Sequence, residues 1–277
     1  MKLAYSTNAY RRSTVDDAVR RIARIGYTGI ELMADKPHFW PREMTNGDIE
    51  AIRRALNDAG VSISNINAFM TTAIGDFWHP SWIETDATLR RIRIEHTTAS
   101  LRVAQRLGAP SITTEPGGPL PDGESRENAI DLFVLGLNEA LRVAEEVGVL
   151  LLVEPEPALL IENSDQFLEL ADRIRSPMFG LNFDIGHFYC VGEDIPQAIH
   201  RLQTHIRHYH VEDIAATRVH EHLIPGDGAI DFAAAFDAVR ATGYQGWLTV
   251  ELYPYLDDPD AAGRRAFEHL VSALRPS

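Results

Sequence analysis

Residues 145–154, EEVGVLLLVE, decide how the chain is read. A charged amphipathic segment runs into Gly148, and an unbroken apolar run then stops on a carboxylate. Glycine at that point suits a helix C-terminus, which needs a residue at ease with positive φ. The continuous apolar run predicts a strand buried on both faces, as in a parallel sheet, rather than a half-exposed strand with alternating polarity. The same helix–Gly–strand unit recurs as ARIGYTGIELM (23–33), NDAGVSISNIN (57–67), QRLGAPSITTE (105–115) and RATGYQGWLTVEL (240–252). Lys2–Thr7, Met178–Asp184 and His205–Val211 read as three more strands, which brings the count to eight.

Helices are expected near 13–25, 45–59, 87–107, 124–147, 164–175, 194–204, 230–242 and 259–274. Ser13, with Asp16 three residues on, and Asp194, ahead of Pro196, have the chemistry of N-caps. Eight strands alternating with eight helices over 277 residues predict an α/β chain forming a single-domain (β/α)8 TIM barrel across 1–277. An open doubly wound sheet is the competing architecture. It usually has fewer strands and a glycine-rich first turn, and STNAYRRS after the first strand has no G-x-G-x-x-G.

Charge and composition narrow the function classes. A formal net charge of −14 opposes a nucleic-acid partner, which needs a basic face. It leaves small anionic substrates open, because net charge says little about one pocket. The longest apolar run, Val147–Val153, is far short of the roughly 20 residues of a membrane helix. MKLAYSTNAYRR lacks the apolar core of a secretory signal, and the lone Cys190 allows no internal disulfide. Together these predict a cytoplasmic chain without a membrane partner. No basic cluster adjoins Cys190, so it reads as an idle thiol rather than a nucleophile.

Two connections are long and aromatic: 34–44, with Phe39 and Trp40, and 68–86, with Phe69, Phe77, Trp78 and Trp82. Both follow strands, so a barrel places both at the C-terminal face, where active sites are built. They are expected either to wall a substrate, with Trp78 as a contact, or to pack together as a cover.

In a barrel the strand C-termini converge on one mouth, and Glu31, Glu115, Glu154, Asp184, His210 and Glu251 fall at such ends. Strand side chains alternate, so Leu150, Leu152 and Glu154 share a face, as do Gly180, Asn182 and Asp184, His208 and His210, and Thr249 and Glu251. One face of the last four strands therefore ends in a carboxylate, a carboxylate, an imidazole and a carboxylate. Crowded carboxylates repel one another, and burial penalises each charge further. Separate salt bridges would answer any one of them; four on adjacent strand ends point to a shared divalent cation. Three oxygens and a nitrogen, with coordination positions left for substrate, suit Mn²⁺ foremost, or Mg²⁺, Co²⁺ or Zn²⁺, at one ion per chain.

VEPEP (153–157), NFDIGH (182–187), HYHVED (208–213), HLIPGDGAIDF (222–232) and GYQGWLTVELYPY (243–255) resemble the xylose isomerase-like TIM barrel superfamily. That superfamily includes sugar epimerases and isomerases, inosose dehydratases and endonuclease IV. The resemblance covers essentially the whole chain, and it implies metal ligation by Glu154, Asp184, His210 and Glu251, the four residues that strand parity selects. It further implies that Glu154 and Glu251 flank the substrate as the two acid/bases. His187 matches a residue that contacts substrate oxygens in epimerases. His222 falls where endonuclease IV has a further zinc ligand, and is expected here to touch substrate. The strand-three and strand-four histidines of that nuclease are replaced by Asn65–Asn67 and Thr113–Glu115, which leaves a repair nuclease the weakest reading.

The ketose 3-epimerases carry a substrate-binding Glu and Arg where this chain has Leu160 and Ala216. Glu156 and Arg218 stand nearby as substitutes, the alternatives being a solvated carboxylate and a surface ion pair. Glu31, in the family's GY-x-G-x-E pattern, and His208, a layer below His210, are expected behind the ligands rather than among them. The implied activity is isomerisation or epimerisation of a sugar, keto-sugar or cyclitol through an enediolate, with dehydration of an inosose or 3-dehydroshikimate as the alternative. A homo-oligomer accords with the resemblance.

Overall fold

A computed structural model describes residues 1–69 and 78–275. Eight parallel strands close into a barrel in sequence order: β1 Lys2–Ser6, β2 Gly29–Met33, β3 Ser62–Asn67, β4 Ser111–Thr114, β5 Leu150–Val153, β6 Phe179–Asp184, β7 Ile206–Val211 and β8 Trp247–Val250. The β1–β8 register, Lys2 to Trp247 through Tyr5 to Val250, seals the ring and removes both sheet edges.

Outside it run α1 Val15–Ile25, α2 Asn46–Ala59, α3 Ala87–Leu107, α4 Arg126–Val147, α5 Ser164–Ala171, α6 Ile185–Cys190, α7 Ile195–Leu202, α8 Phe232–Ala241 and α9 Pro259–Ala273. The helix–Gly–strand reading holds at its decisive point. Gly148 caps α4 at φ 70° and its amide donates to the Ala144 carbonyl, so β5 starts two residues later. Asp194 caps α7 as expected, whereas α1 is capped by Thr14, whose hydroxyl accepts from the Asp17 amide, and not by Ser13. The Ser13 hydroxyl accepts from Arg21 instead. The short helix α6 is absent from the sequence expectation; it is one and a half turns long, too short to leave a periodic pattern.

Two strand pairs slip register. Ile30 faces Ile63 while Glu31 faces Asn65, so Ser64 is an extra residue on β3, and Arg207 is the extra residue on β7 between Ile206 and His208. The first slip lets consecutive residues reach the barrel interior: Ser64 contacts Thr249 (3.1 Å) while Asn65 donates to Glu31 (2.8 Å) and Thr113 (2.8 Å). The interior is therefore partly polar on this side, where side chains satisfy one another away from water.

The two aromatic connections part company. In 34–44 Phe39 is buried and Trp40 stacks on His96 at 4.6 Å, which makes this segment a cover on α3. In 68–86 Trp82 is buried against Phe133, and Phe77 lies outside the described residues. Arg93, fully buried on α3, ties down both sides of this second connection. Its guanidinium donates to the carbonyls of Phe69 (2.8 Å), Trp78 (3.2 Å) and Pro80 (2.9 Å), and Glu115 lies 3.6 Å away. Glu115 in turn accepts from the Trp82 and Gly117 amides, so it turns away from the strand ends that gather at the mouth.

No described helix is long and apolar enough to cross a membrane. Cys190 is half-buried, and burial, then the charge of Asp184, pushes its thiol up to about 12. At pH 8 it should react with iodoacetamide on the order of 100-fold more slowly than free cysteine. Comparable rates by mass-spectrometric labelling would contradict this. Replacing Arg93 with Leu strands three carbonyls and the buried Glu115 carboxylate, and should cost about 3–5 kcal/mol in urea unfolding. Adding Glu115→Gln should restore part of that loss; strictly additive losses would show the pair to be uncoupled.

Candidate metal centre

His210 is the hub. It ends the inward face of β7, is inaccessible to solvent, and presents each ring nitrogen to a carboxylate. Nδ1 lies 2.6 Å from Glu154 Oε1, 3.7 Å from Glu251 Oε1 and 3.9 Å from Asp184 Oδ2. Nε2 lies 2.7 Å from Glu31 Oε2. Glu154 follows β5, Asp184 ends β6 in register with His210, and Glu251 follows β8, so three of the four adjacent strands β5–β8 deliver the carboxylates and β7 the imidazole. One ligand atom from each of Glu154, Asp184, His210 and Glu251 falls within 4.8 Å of every other. The structure brings the four residues together.

The electrostatics fit a cation there. Burial opposes a charged imidazole, yet Glu154, Glu31 and Glu251 outweigh it and hold His210 protonated well above its ordinary range. Burial, relieved in part by His210 and reinforced by neighbouring carboxylates, raises Glu154 and pushes Glu251 well up. Without a cation the cluster must therefore store protons that its residue types do not ordinarily keep. Asp184 Oδ2 is buried with no hydrogen-bond partner among the described residues, and Nδ1 of His210 is flanked by three carboxylates. A dication at Nδ1 would satisfy all of them and leave Nε2–H donating to Glu31, the arrangement that fixes a metal-bound histidine. Glu31 thus stands behind the four converging residues, against the far nitrogen of His210. Asn65 steadies it from β3, and His208 lies 3.7 Å away, buried and held neutral.

Glu251 is oriented by two amides, Asn8 (2.8 Å) and Asn67 (3.1 Å), both donating to Oε1. Neither asparagine was singled out from the sequence. The polar ends of β1 and β3 were the available signal.

A cavity of about 170 Å³ opens beside these four residues. Trp78, Glu156, His187 and His222 all line it, as the sequence reading expected, and so do Phe69, Tyr253 and His220. His187 Nδ1 donates to the Pro155 carbonyl (2.9 Å) and His222 Nδ1 to the Glu251 carbonyl (3.0 Å); His187 Nε2 then makes no hydrogen bond among the described residues, while His222 Nε2 lies 3.2 Å from His220 Nε2. The two differ in charge. Burial depresses His222 to about 4, whereas Asp184, Glu156 and Glu154 overcome burial at His187 and raise it. Burial also lifts Glu156 to about 7, with His187 the chief opposing influence.

The expectation for Arg218 needs correcting. Its side chain is exposed, donates to the Tyr189 carbonyl (2.9 Å), stacks on the Tyr189 ring at 4.5 Å and does not line the cavity. It sits in an irregular loop at φ 61°, where strand parity gives no direction.

Two carboxylates of the HYHVED stretch went unassigned in the sequence. Glu212 is buried against Asp184, and burial followed by that charge pushes its carboxyl well up, so it is held neutral. A Cβ at residue 186 would lie 1.8 Å from Glu212 Oε1, which is why glycine stands second in α6. Asp213 accepts from the amides of Ile214, Gly226, Gly228 and Ile230 at 2.8–3.1 Å, and so pins the PGDG turn beside the site.

With this geometry in view, residues 19–273 match the family model of the xylose isomerase-like TIM barrel. Among curated relatives, an inosose dehydratase of Geobacillus thermodenitrificans is 26% identical over 282 residues, covering 94% of this chain and 87% of the relative. A fructoselysine 3-epimerase of Escherichia coli O157:H7 is 24% identical over 285 residues, covering 99% and 98%. A solved structure, the IolI protein with a bound zinc atom, superposes at a TM-score of 0.80 with 20% identity, covering 99% and 98%. The chain belongs to the xylose isomerase-like TIM barrel family.

Proposed function

We propose that this chain is a divalent-metal-dependent isomerase or epimerase of a keto-sugar or cyclitol. The observation that carries the reading is the convergence of Glu154, Asp184, His210 and Glu251 beside a cavity of about 170 Å³, with Glu154 and Glu251 in its wall. A bound dication supplies positive charge to substrate oxygens and so acidifies the C–H next to a carbonyl. Mn²⁺ is the preferred ion; the zinc of the IolI structure supports a divalent metal in a related barrel.

The remaining chemistry belongs to the chain. Glu154 and Glu251 are the two carboxylates able to exchange a proton with that carbon. Glu251 is aimed by Asn8 and Asn67, while Glu154 is braced by His210. Burial raises both carboxyls in the metal-free chain, and a bound dication would offset that rise. His187, held charged by Asp184 and with no hydrogen bond at Nε2, donates to a substrate oxygen, and a hydroxyl can take the place of His220 as the partner of neutral His222. Trp78, Phe69 and Tyr253 offer apolar surface to the sugar's C–H faces. Glu156, close to half-protonated at neutral pH, makes a further hydroxyl contact.

Proton return to the same carbon from the other side epimerises; return to the neighbouring carbon isomerises. A dehydratase is the second reading, favoured by the inosose dehydratase relative, and there the developing charge expels a β-hydroxyl instead.

Adding Mn²⁺ to chelator-stripped protein at about a hundredfold excess over Kd should raise Tm by roughly 5 °C. Asp184→Asn should remove that rise, and an unchanged Tm in the parent protein would dismiss the metal. A panel of ketoses, inososes and keto-glycosides incubated in D₂O should show metal-dependent deuterium uptake. Glu154→Gln and Glu251→Gln should each slow it by at least about 10³-fold with an unchanged circular dichroism spectrum. Retained turnover in either variant removes the two-carboxylate scheme. Uptake without loss of water marks the isomerase; growth of an enone absorbance marks the lyase.

A further inference from the structure

We infer that Arg11 is a specificity residue and that the substrate carries an anionic substituent, a carboxylate or a phosphate monoester, which its guanidinium receives. This rests on the proposed sugar chemistry and narrows its substrate class.

Arg11 caps the short 3₁₀ helix Thr7–Tyr10 that follows β1, and continues it with helical φ and ψ of −61° and −4°. Residues three apart on a 3₁₀ helix lie above one another, about 6 Å along the axis. Arg11 therefore follows Asn8 on the same edge, and Asn8 is the residue whose amide holds Glu251. Both line the cavity. The same turn of backbone thus orients one reacting carboxylate and, a few bonds further along a bound substrate, presents a guanidinium.

That guanidinium is unspent. The side chain is half-buried, and its Nε is shielded from water without an acceptor. Among the described residues no ion pair, hydrogen bond or aromatic ring engages it. Its neighbours are treated differently: Arg12 pairs with Asp257, and Arg21 with Asp260 and Asp17. A chain with a net charge of −14 has no shortage of carboxylates, so an Arg left without one beside a binding cavity is notable.

Arg11 is also the only Lys or Arg among the described residues lining the cavity, whose other charged walls are the carboxylates of Glu154, Glu156 and Glu251 and the imidazole of His187, itself claimed by those carboxylates and by Asp184. An anionic substrate entering there needs a local cation beyond the ligand cluster. The guanidinium fork offers two parallel N–H groups that match a carboxylate or a phosphate, and leaving its N–H unpaired costs free energy that such a ligand returns.

The test is isothermal titration of the Mn²⁺-loaded protein with three probes: D-fructose, D-fructuronate and D-fructose 6-phosphate. At least one anionic probe should bind ten or more times tighter than D-fructose, and which one does so separates carboxylate from phosphate. Arg11→Gln should collapse that ratio, while Arg11→Lys, which keeps the charge without the fork, should keep part of it. Thermal unfolding of each variant confirms that it is folded. A ratio below tenfold for both anions, no measurable anion binding, or a ratio that survives Arg11→Gln overturns the assignment. Deuterium uptake reports separately on the proposed reaction: anion preference without proton exchange keeps Arg11 and removes the chemistry.

Discussion

The structure turns on one conflict: too much negative charge in too little water. Glu31, Glu154, Asp184 and Glu251 crowd around His210, and Glu212 presses on Asp184 from behind. Taking several carboxylates out of water together is costly unless something positive compensates. His210 supplies one charge and is claimed from both sides. Glu212 avoids the cost by remaining neutral. The residual charge is what suits the mouth to a cation, and a closed barrel enforces it, because no strand end can move away from its neighbours without breaking the ring.

What strands determine could be read by counting; what connections place, such as Trp78, Glu156, His187 and His222, came from family resemblance or loop composition or was missed. Glu154, Asp184, His210 and Glu251 were reachable by counting in twos, since a parallel ladder fixes alternation as soon as the strand is recognised. The count survives the extra residue Arg207 because the slip precedes His208 and leaves Asp184 paired with His210. It gives no warning of Ser64, whose bulge brings two successive side chains of β3 inside. Arg218 failed for the opposite reason. No period governs an irregular loop, and the Tyr189 ring and carbonyl nearby offered that guanidinium a partner outside the cavity. Segment 34–44 had the composition of a substrate wall and became a cover, because His96 on α3 offered Trp40 a stacking surface.

The three cavity histidines illustrate how position sets protonation without any change of residue type. His187, one helical turn beyond Asp184, sits 3.8 Å from its Oδ2 and is pulled toward the charged form. His220 and His222 are 3.2 Å apart at Nε2 and are both driven neutral, chiefly by burial and then by nearby histidine charge at His220. One wall thus holds a donor of positive charge beside two neutral rings that can accept. A polyhydroxylated ligand needs that mixture, because its hydroxyls both give and take hydrogen bonds.

The division between strands and loops also bears on how one barrel serves relatives with different reactions. The four converging side chains stand at or just past strand ends, where the closed sheet fixes their backbone, although Asn8, on the connection after β1, helps to aim Glu251. Arg11, Glu156, His220 and Tyr253 stand on connections instead, and these can change without disturbing the ladder. Proton abstraction beside a carbonyl asks only for what the strands supply. Whether the proton returns to the same carbon, moves to the next, or is followed by loss of a hydroxyl depends on how far the substrate can turn and which oxygen meets a donor. Those are properties of the connections. The share of the site that strand parity makes legible is therefore the share common to all three outcomes, and the choice among them rests on side chains that no period announces.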